Sequence, residues 1–194
     1  MSPLYQQLAF FNELEKLKTV TRQNQTLDGR FENSAEHSWQ LALMASLLRQ
    51  YFPEEIEVEK VMTMLLVHDV GEIGAGDTWA YDEKAKETSF ERELLSVQES
   101  FGLLPDKQSL YLSDLWYEFE RGKSPEARYA RCIDALAPLM NHLLIAKENE
   151  NPGGLSKSRV LAKKSFIKEE SEELWNLVID LVNHSVAKGL YLNE

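Results

Sequence analysis

The chain has 194 residues, 43% of them hydrophobic, which predicts one globular domain spanning residues 1–194. Its 32 acidic and 21 basic residues give a net charge of −11. This charge argues against binding of a nucleic-acid polymer, but a metal and one or two arginines can still hold a small phosphorylated substrate. No apolar run reaches the roughly 18 residues of a membrane span, and the N-terminal residues do not resemble a signal peptide. With its single cysteine, we expect a cytoplasmic protein that does not bind membranes.

Apolar residues recur at three- and four-residue spacing almost throughout, and this period predicts an all-α bundle of about six to eight helices. The predicted helices cover about residues 3–18, 34–52, 58–70, 82–101, 106–121 and 124–149, with one or two more to close the chain, the last centred on 174–187. Segments 19–33 and 71–77 are predicted to be irregular, and Asp28-Gly29 marks a turn in the first. Ser34 is the predicted N-cap of the second helix.

Three of these helices carry a metal-capable side chain on the face that their apolar neighbours mark as inward. His37 lies on the second helix, the pair His68-Asp69 ends the third, and Asp134 lies among small apolar residues on the sixth. A single inward histidine is more often a hydrogen-bonded core residue, and a single aspartate has similar ordinary explanations. Together they are better explained by one divalent cation, because buried ionisable groups are costly unless paired or bound to metal. Mn, Co, Zn, Fe, Ni and Mg all remain candidates.

The order H…HD…D is carried by SAEHSW at 34–39, VHDVGEIGAGD at 67–77 and CIDA at 132–135. With LKTVTR at 17–22, it resembles the HD-domain metal-dependent phosphohydrolases, most closely their 5′-deoxynucleotidase-like branch. The resemblance covers about residues 10–140. It implies that His37, His68, Asp69 and Asp134 bind one metal ion in the centre of a helical HD domain. It also implies removal of the phosphate from (deoxy)nucleoside 5′-monophosphates by a homodimer.

The resemblance assigns substrate roles to further residues. Glu72 would be the general acid or base, Arg22 would orient the phosphate, and Asp77 would contact the nucleoside sugar. Trp79, two residues further on, is a candidate to line the substrate mouth. Without the resemblance, these residues also read as a solvated helix-end glutamate, a surface arginine, a turn aspartate and a core aromatic. Gln23 stands where the best-known bacterial member has an aromatic residue, so base preference does not carry over.

Two other functions remain open at this point. An HD phosphohydrolase or phosphodiesterase could act on another phosphate ester or a signalling nucleotide, and the sequence does not separate this from the first reading. A non-catalytic HD domain could bind a metal or nucleotide as a regulator. The complete set of four ligands together with Glu72 argues against the regulator.

Overall fold

The structure is a computed structural model that describes residues 1–194. In chain order its elements are α1 (Pro3–Leu14), β1 (Thr21–Gln25), β2 (Phe31–Asn33), α2 (Ser34–Leu48), α3 (Val58–Val67), α4 (Glu72–Ala75), α5 (Glu83–Lys86), α6 (Ser89–Phe101), α7 (Asp106–Arg121), α8 (Pro125–Ile145), α9 (Lys157–Lys164), α10 (Ile167–Glu170) and α11 (Glu172–Ala187). Short 3₁₀ turns follow three helices, at Glu15–Thr19, Arg49–Tyr51 and His68–Gly71. The all-α prediction is confirmed, with eight helices of eight residues or more. None of the helices combines the length and apolarity needed to cross a bilayer.

The centre of the bundle is where α3 packs against α2, α7 and α8. Apolar side chains from these helices belong to one cluster of 32 buried residues. Leu41 on α2, Met64 on α3 and Ile133 on α8 are each fully buried. Since His37 and Asp134 lie on these same faces, hydrophobic packing of the three helices fixes where the candidate ligands point.

Segment 19–33 was predicted to be irregular, and this was wrong in part. It forms an antiparallel hairpin of β1 and β2, with a register shift along β1. The predicted turn is present, and Gly29 adopts a φ of +85° that favours glycine. The strand pattern is not visible in the sequence because β1 reads TRQNQ, with no apolar residue. Polar bonds secure it instead, among them Asn24 Nδ2, which donates to the carbonyl of Pro138 on α8 at 3.2 Å.

The N-cap of the second helix lies one residue earlier than predicted. Asn33, not Ser34, is the N-cap: its side-chain oxygen accepts from the Glu36 backbone N–H at 3.0 Å, and the Glu36 carboxylate accepts from the Asn33 N–H at 3.2 Å. This reciprocal pair is a capping box. The Ser34 hydroxyl is therefore free for a contact with another element.

Segment 71–77 was predicted to be a loop, yet its first half is helical. The 3₁₀ turn His68–Gly71 runs directly into the single turn of α4, and the helix ends at Gly76, where φ is +75°. Gly71 permits a close approach of α6, because an added Cβ would lie 2.8 Å from the Cβ of Glu93. The chain also closes with three helices, α9 to α11, rather than one or two.

Candidate functional site

The four residues predicted as metal ligands converge at one point of the bundle. The Nε2 atom of His37, on α2, lies 3.0 Å from Oδ1 of Asp134, on α8. The Nε2 atom of His68 lies 3.0 Å from Oδ1 of Asp69 and 3.7 Å from the same Asp134 oxygen. One ligand atom each from His37, His68 and Asp69 falls within 4.8 Å of the others. Two imidazoles and two carboxylates form a mixed set that can hold a first-row divalent ion.

The backbone fixes the tautomer of His68. Its Nδ1 lies 2.7 Å from the carbonyl oxygen of Leu65, which can only accept, so Nδ1 donates. In the neutral ring, Nε2 then carries the free lone pair, as in metal-binding imidazoles. That Nε2 is buried and has no hydrogen-bond partner.

The charges around His68, like its tautomer, favour a cation at Nε2. Burial alone would lower the pKa of this imidazole, but Asp69 and Asp134 raise it to about 9. The field at the ring therefore favours positive charge. A buried lone pair without a partner, in a field that favours a cation, fits a metal ion, whose binding would displace the proton.

Glu32, which the sequence analysis missed, lies behind His37. It is 6% exposed, and its Oε2 lies 3.7 Å from Nδ1 of His37 and 3.9 Å from Nε of Arg22. Because Nε2 of His37 faces Asp134, Nδ1 is the ring nitrogen remote from the cluster, and it has no hydrogen-bond partner. Carboxylates commonly orient a metal-binding imidazole from that side. Since the separation is longer than a hydrogen bond, Glu32 acts on the ring through its charge.

Glu72 lies beside the candidate ligands and is 7% exposed. Its Oε2 accepts a hydrogen bond from the Ser34 hydroxyl at 2.5 Å, and its Oε1 lies 3.5 Å from Nη1 of Arg22. Burial and the negative charge of Asp69 raise the pKa of Glu72 well above its usual value, although Arg22 and Ser34 oppose the shift. The residue is a buried carboxyl group with a raised pKa, which is the property that general acids and bases need.

Arg22 is surrounded by carboxylates. Its Nη1 lies 2.7 Å from Oδ2 of Asp69, 3.5 Å from Oε1 of Glu72 and 3.8 Å from Oδ1 of Asp77. Only 15% of the Arg22 side chain is exposed, so it is not a surface arginine. These acids hold the planar guanidinium next to the candidate ligands, where its paired N–H groups can meet a phosphate.

A cavity of about 440 Å³ adjoins this cluster, a volume within the range of small-molecule sites. It brings together the three residues predicted to contact substrate, Arg22, Asp77 and Trp79. Trp79 packs over the loop between α8 and α9, since a Cβ added to Gly153 would lie 3.1 Å from the indole. The cavity can therefore take a charged group near Arg22 and a flat ring near Trp79.

Lys164 lines the cavity, and the sequence analysis did not predict it. A signal for it exists: Lys164 follows Val160 by four residues and precedes Ile167 by three, and both of these are fully buried. No such signal exists for Glu32. Its strand exposes Phe31 and buries Glu32, which reverses the usual pattern.

Comparison with known proteins identifies the class. The family profile described as HD domain matches residues 14–175, most of the chain, and the chain belongs to this family. A crystal structure of a predicted metal-dependent phosphohydrolase from Magnetospirillum magnetotacticum MS-1 superposes with a TM-score of 0.91. It is 37% identical, over 99% of this chain and 97% of that one. A divalent metal is therefore implied for this protein.

Relatives with named activities fall in the 5′-deoxynucleotidase branch. The 5′-deoxynucleotidase HDDC2 of Dictyostelium discoideum is 31% identical over 134 residues, 66% of this chain and 70% of the relative. The 5′-deoxynucleotidase YfbR of Escherichia coli O1:K1 / APEC is 27% identical over 157 residues, 71% of this chain and 78% of the relative. The resemblance to this branch, drawn from the motifs, is confirmed.

Proposed function

We propose that this protein is a metal-dependent phosphomonoesterase that removes the phosphate from (deoxy)nucleoside 5′-monophosphates. The observation that carries the proposal is the convergence of His37, His68, Asp69 and Asp134 beside a cavity that Arg22, Asp77 and Trp79 line. The proposed ligands hold one divalent ion. The named activities of the HDDC2 and YfbR relatives support the choice of substrate class.

Uncatalysed hydrolysis of phosphate monoesters is extremely slow, so the site must supply a large barrier reduction. A divalent cation, when bound, offsets the negative charge of the phosphate and makes water a better nucleophile. The protein's own side chains position the substrate. Arg22 binds the phosphate oxygens, Asp77 accepts a hydrogen bond from a sugar hydroxyl, and Trp79 contacts the nucleoside. Since only 15% of the Arg22 side chain is exposed, its charged contacts are stronger than in water.

Glu72 moves the proton in this proposal. Ser34 holds one carboxylate oxygen, so the other is oriented toward Arg22 and the site. Glu72 takes a proton from the attacking water or gives one to the leaving sugar oxygen. Its raised pKa brings the two protonation states closer in energy at neutral pH, which is what proton transfer in either direction requires.

The ligand assignment is tested by Asp69→Ala. We expect this variant to lose tight metal binding and activity together, because it removes one of four ligands. Elemental analysis of dialysed protein measures the metal, and phosphate release measures turnover. Asp114→Ala, which changes a carboxylate outside the site on α7, is the matched control and should keep both. Full metal content in Asp69→Ala would contradict the assignment.

The substrate class is tested by a phosphatase screen of the metal-loaded protein. Deoxy- and ribonucleoside monophosphates, cyclic nucleotides and sugar phosphates are compared under the same conditions. We expect the highest kcat/KM with a nucleoside 5′-monophosphate. Activity on none of the monophosphates would reject the proposal, and activity confined to another ester or to cyclic nucleotides would favour the alternative phosphohydrolase.

We further propose that residues 1–194 form one HD domain and that the protein is a cytoplasmic homodimer. The continuous cluster of 32 buried residues, which runs from Phe10 to Tyr191, supports the single domain. An exposed apolar stripe on α2, formed by Trp39, Leu43 and Leu47, supports the dimer.

A further inference from the structure

Lys164 places a positive charge inside the protein with no acidic partner. It is the last residue of α9, is 8% exposed, and lines the cavity together with Arg22 and Asp77. Its Nζ atom forms no hydrogen bond or ion pair with the rest of the chain; only charges at longer range act on it. A buried side chain of this kind is rare, because lysine is almost never buried without a partner.

Two other lysines of α9 have polar partners within hydrogen-bond or ion-pair distance. Lys163 Nζ lies 3.1 Å from a carboxylate oxygen of Glu83, and Lys157 Nζ donates to Asn183 at 2.8 Å. Lys164 alone turns inward, where burial lowers its pKa to about 8. An ammonium in this position costs free energy unless something brings a negative charge to it.

The missing negative charge can come from a group bound in the cavity that Lys164 lines together with Arg22. Burial lowers the Lys164 pKa and the carboxylate of Asp134 opposes this effect, while the positive charges of Lys163, Lys86 and Arg22 add to it. Arg22 itself lies 2.7 Å from Asp69. Two cations that line one cavity, both influenced by the candidate ligands, mark the place where an anion enters.

We propose that Lys164 binds the phosphate of the substrate, with its Nζ donating to a phosphate oxygen alongside Arg22. This inference rests on the proposed monophosphatase function and adds to it a residue outside the segments that carry the family motifs. A phosphate monoester brings close to two negative charges at neutral pH, which is the countercharge that Lys164 lacks. Lys164 and Arg22, two largely buried side chains, together then balance the charge of the substrate.

The first test compares Lys164→Met with Lys163→Met in the metal-loaded protein. Methionine keeps an unbranched apolar stem of similar size and removes the ammonium group. We expect KM for the preferred monophosphate to rise on the order of 10–100-fold in Lys164→Met, the worth of one hydrogen bond to a charged group. The metal content should stay normal. Lys163→Met, which loses only a partly exposed ion pair, should keep the wild-type KM.

The second test uses pH and distinguishes a charge contact from packing. As the pH rises through about 8, Lys164 loses its proton and phosphate binding should weaken. Arginine stays charged over this range, so Lys164→Arg should bind phosphate and lose less affinity between pH 7 and 9.5. The substrate is a phosphate monoester with a second pKa of about 6, so it is largely dianionic from pH 7 upward and adds little change of its own. The same pH dependence in the wild type and Lys164→Arg would overturn the proposal.

Binding of inorganic phosphate, measured by calorimetry, separates this inference from the proposed function. If the wild type hydrolyses monophosphates and Lys164→Met keeps the wild-type KM, the function stands and the role of Lys164 is wrong. If the wild type hydrolyses none, weaker phosphate binding by Lys164→Met still supports an anion site. Equal phosphate affinity in both proteins, or no phosphate binding by the wild type, overturns it. A loss confined to nucleotides would place Lys164 on the nucleoside and also overturn it.

Discussion

Glu72 is the residue whose environment departs furthest from what its place in the chain suggests. From sequence alone it would be a solvated glutamate at a helix end, yet it is buried, and Ser34 and Arg22 hold its two oxygens. Both contacts come from segments more than 35 residues away in sequence. The carboxyl group is therefore preorganised by the fold before any substrate arrives, which lowers the reorganisation that proton transfer requires.

Glu72→Gln should separate catalysis from binding. Glutamine keeps the size and much of the hydrogen bonding but cannot accept the proton. We expect normal metal content, an unchanged or slightly lower KM, and a kcat lower by roughly 10²–10⁴-fold. Ser34→Ala, which removes only the supporting hydroxyl, should cost less. Loss of the metal in Glu72→Gln would make Glu72 a ligand, and full turnover would move the proton-transfer role elsewhere, with Asp77 the next candidate.

Among single residues, the sequence predicts those whose apolar neighbours show that the side chain points into the bundle. His37 and Asp134 lie among apolar residues at helical spacing, so their inward orientation is visible without a structure. Glu32 is not predictable, because its strand exposes the apolar Phe31 and buries the carboxylate. Lys164 stands next to Lys163 in a charged stretch. Its spacing from Val160 and Ile167 places it on the inward face of α9, but only the tertiary packing shows that this face meets the cavity.

At the scale of elements, the position of the candidate ligands His68 and Asp69 depends on how closely α6 approaches the turn His68–Gly71. Gly71 is the point of closest approach: a Cβ there would lie 2.8 Å from Glu93 Cβ and 3.0 Å from the Glu93 carbonyl oxygen. Neither atom can rotate away. The sequence predicts α6, and the family motif marks the H-D-V-G stretch. The contact between the two is a product of the fold and is not readable from either segment.

Gly71→Ala should therefore weaken metal binding from outside the ligand set. The methyl group pushes α6 away from the turn that carries His68 and Asp69, at a cost of about 1–3 kcal/mol in stability. Calorimetric Tm and metal titration measure the two effects. Gly29→Ala is the control: its φ of +85° strains the hairpin turn, but nothing lies within 4 Å of the added methyl. It should lower Tm and keep the metal affinity. Wild-type metal affinity in Gly71→Ala would contradict this account.

At the scale of the whole molecule, α2 has two apolar faces, one buried in the core and one exposed. One face, with Leu41 and Ala45, packs in the core beside His37. The other presents Trp39, Leu43 and Leu47, which are 65%, 49% and 67% exposed and recur every four residues. A helix that is apolar on both sides is normally covered on both sides. A second copy of the chain, seated on this stripe, would cover it without disturbing the metal ligands on the opposite face.

The double variant Leu43→Glu/Leu47→Glu tests this arrangement. Two charges placed in an apolar interface oppose association, because burying them unpaired is costly. One chain has a mass of 22.3 kDa. Light scattering should give twice this mass for the wild type and the mass of a single chain for the double variant. Leu4→Glu/Leu8→Glu alters a second exposed apolar stretch, on α1, and should leave the dimer intact.

Monomers from the α1 variant alone would move the interface to α1. A wild type with the mass of a single chain at every concentration would reject the dimer itself. Normal metal content in the monomeric variant would show that each chain carries a complete site, as the placement of all four candidate ligands within one chain leads us to expect.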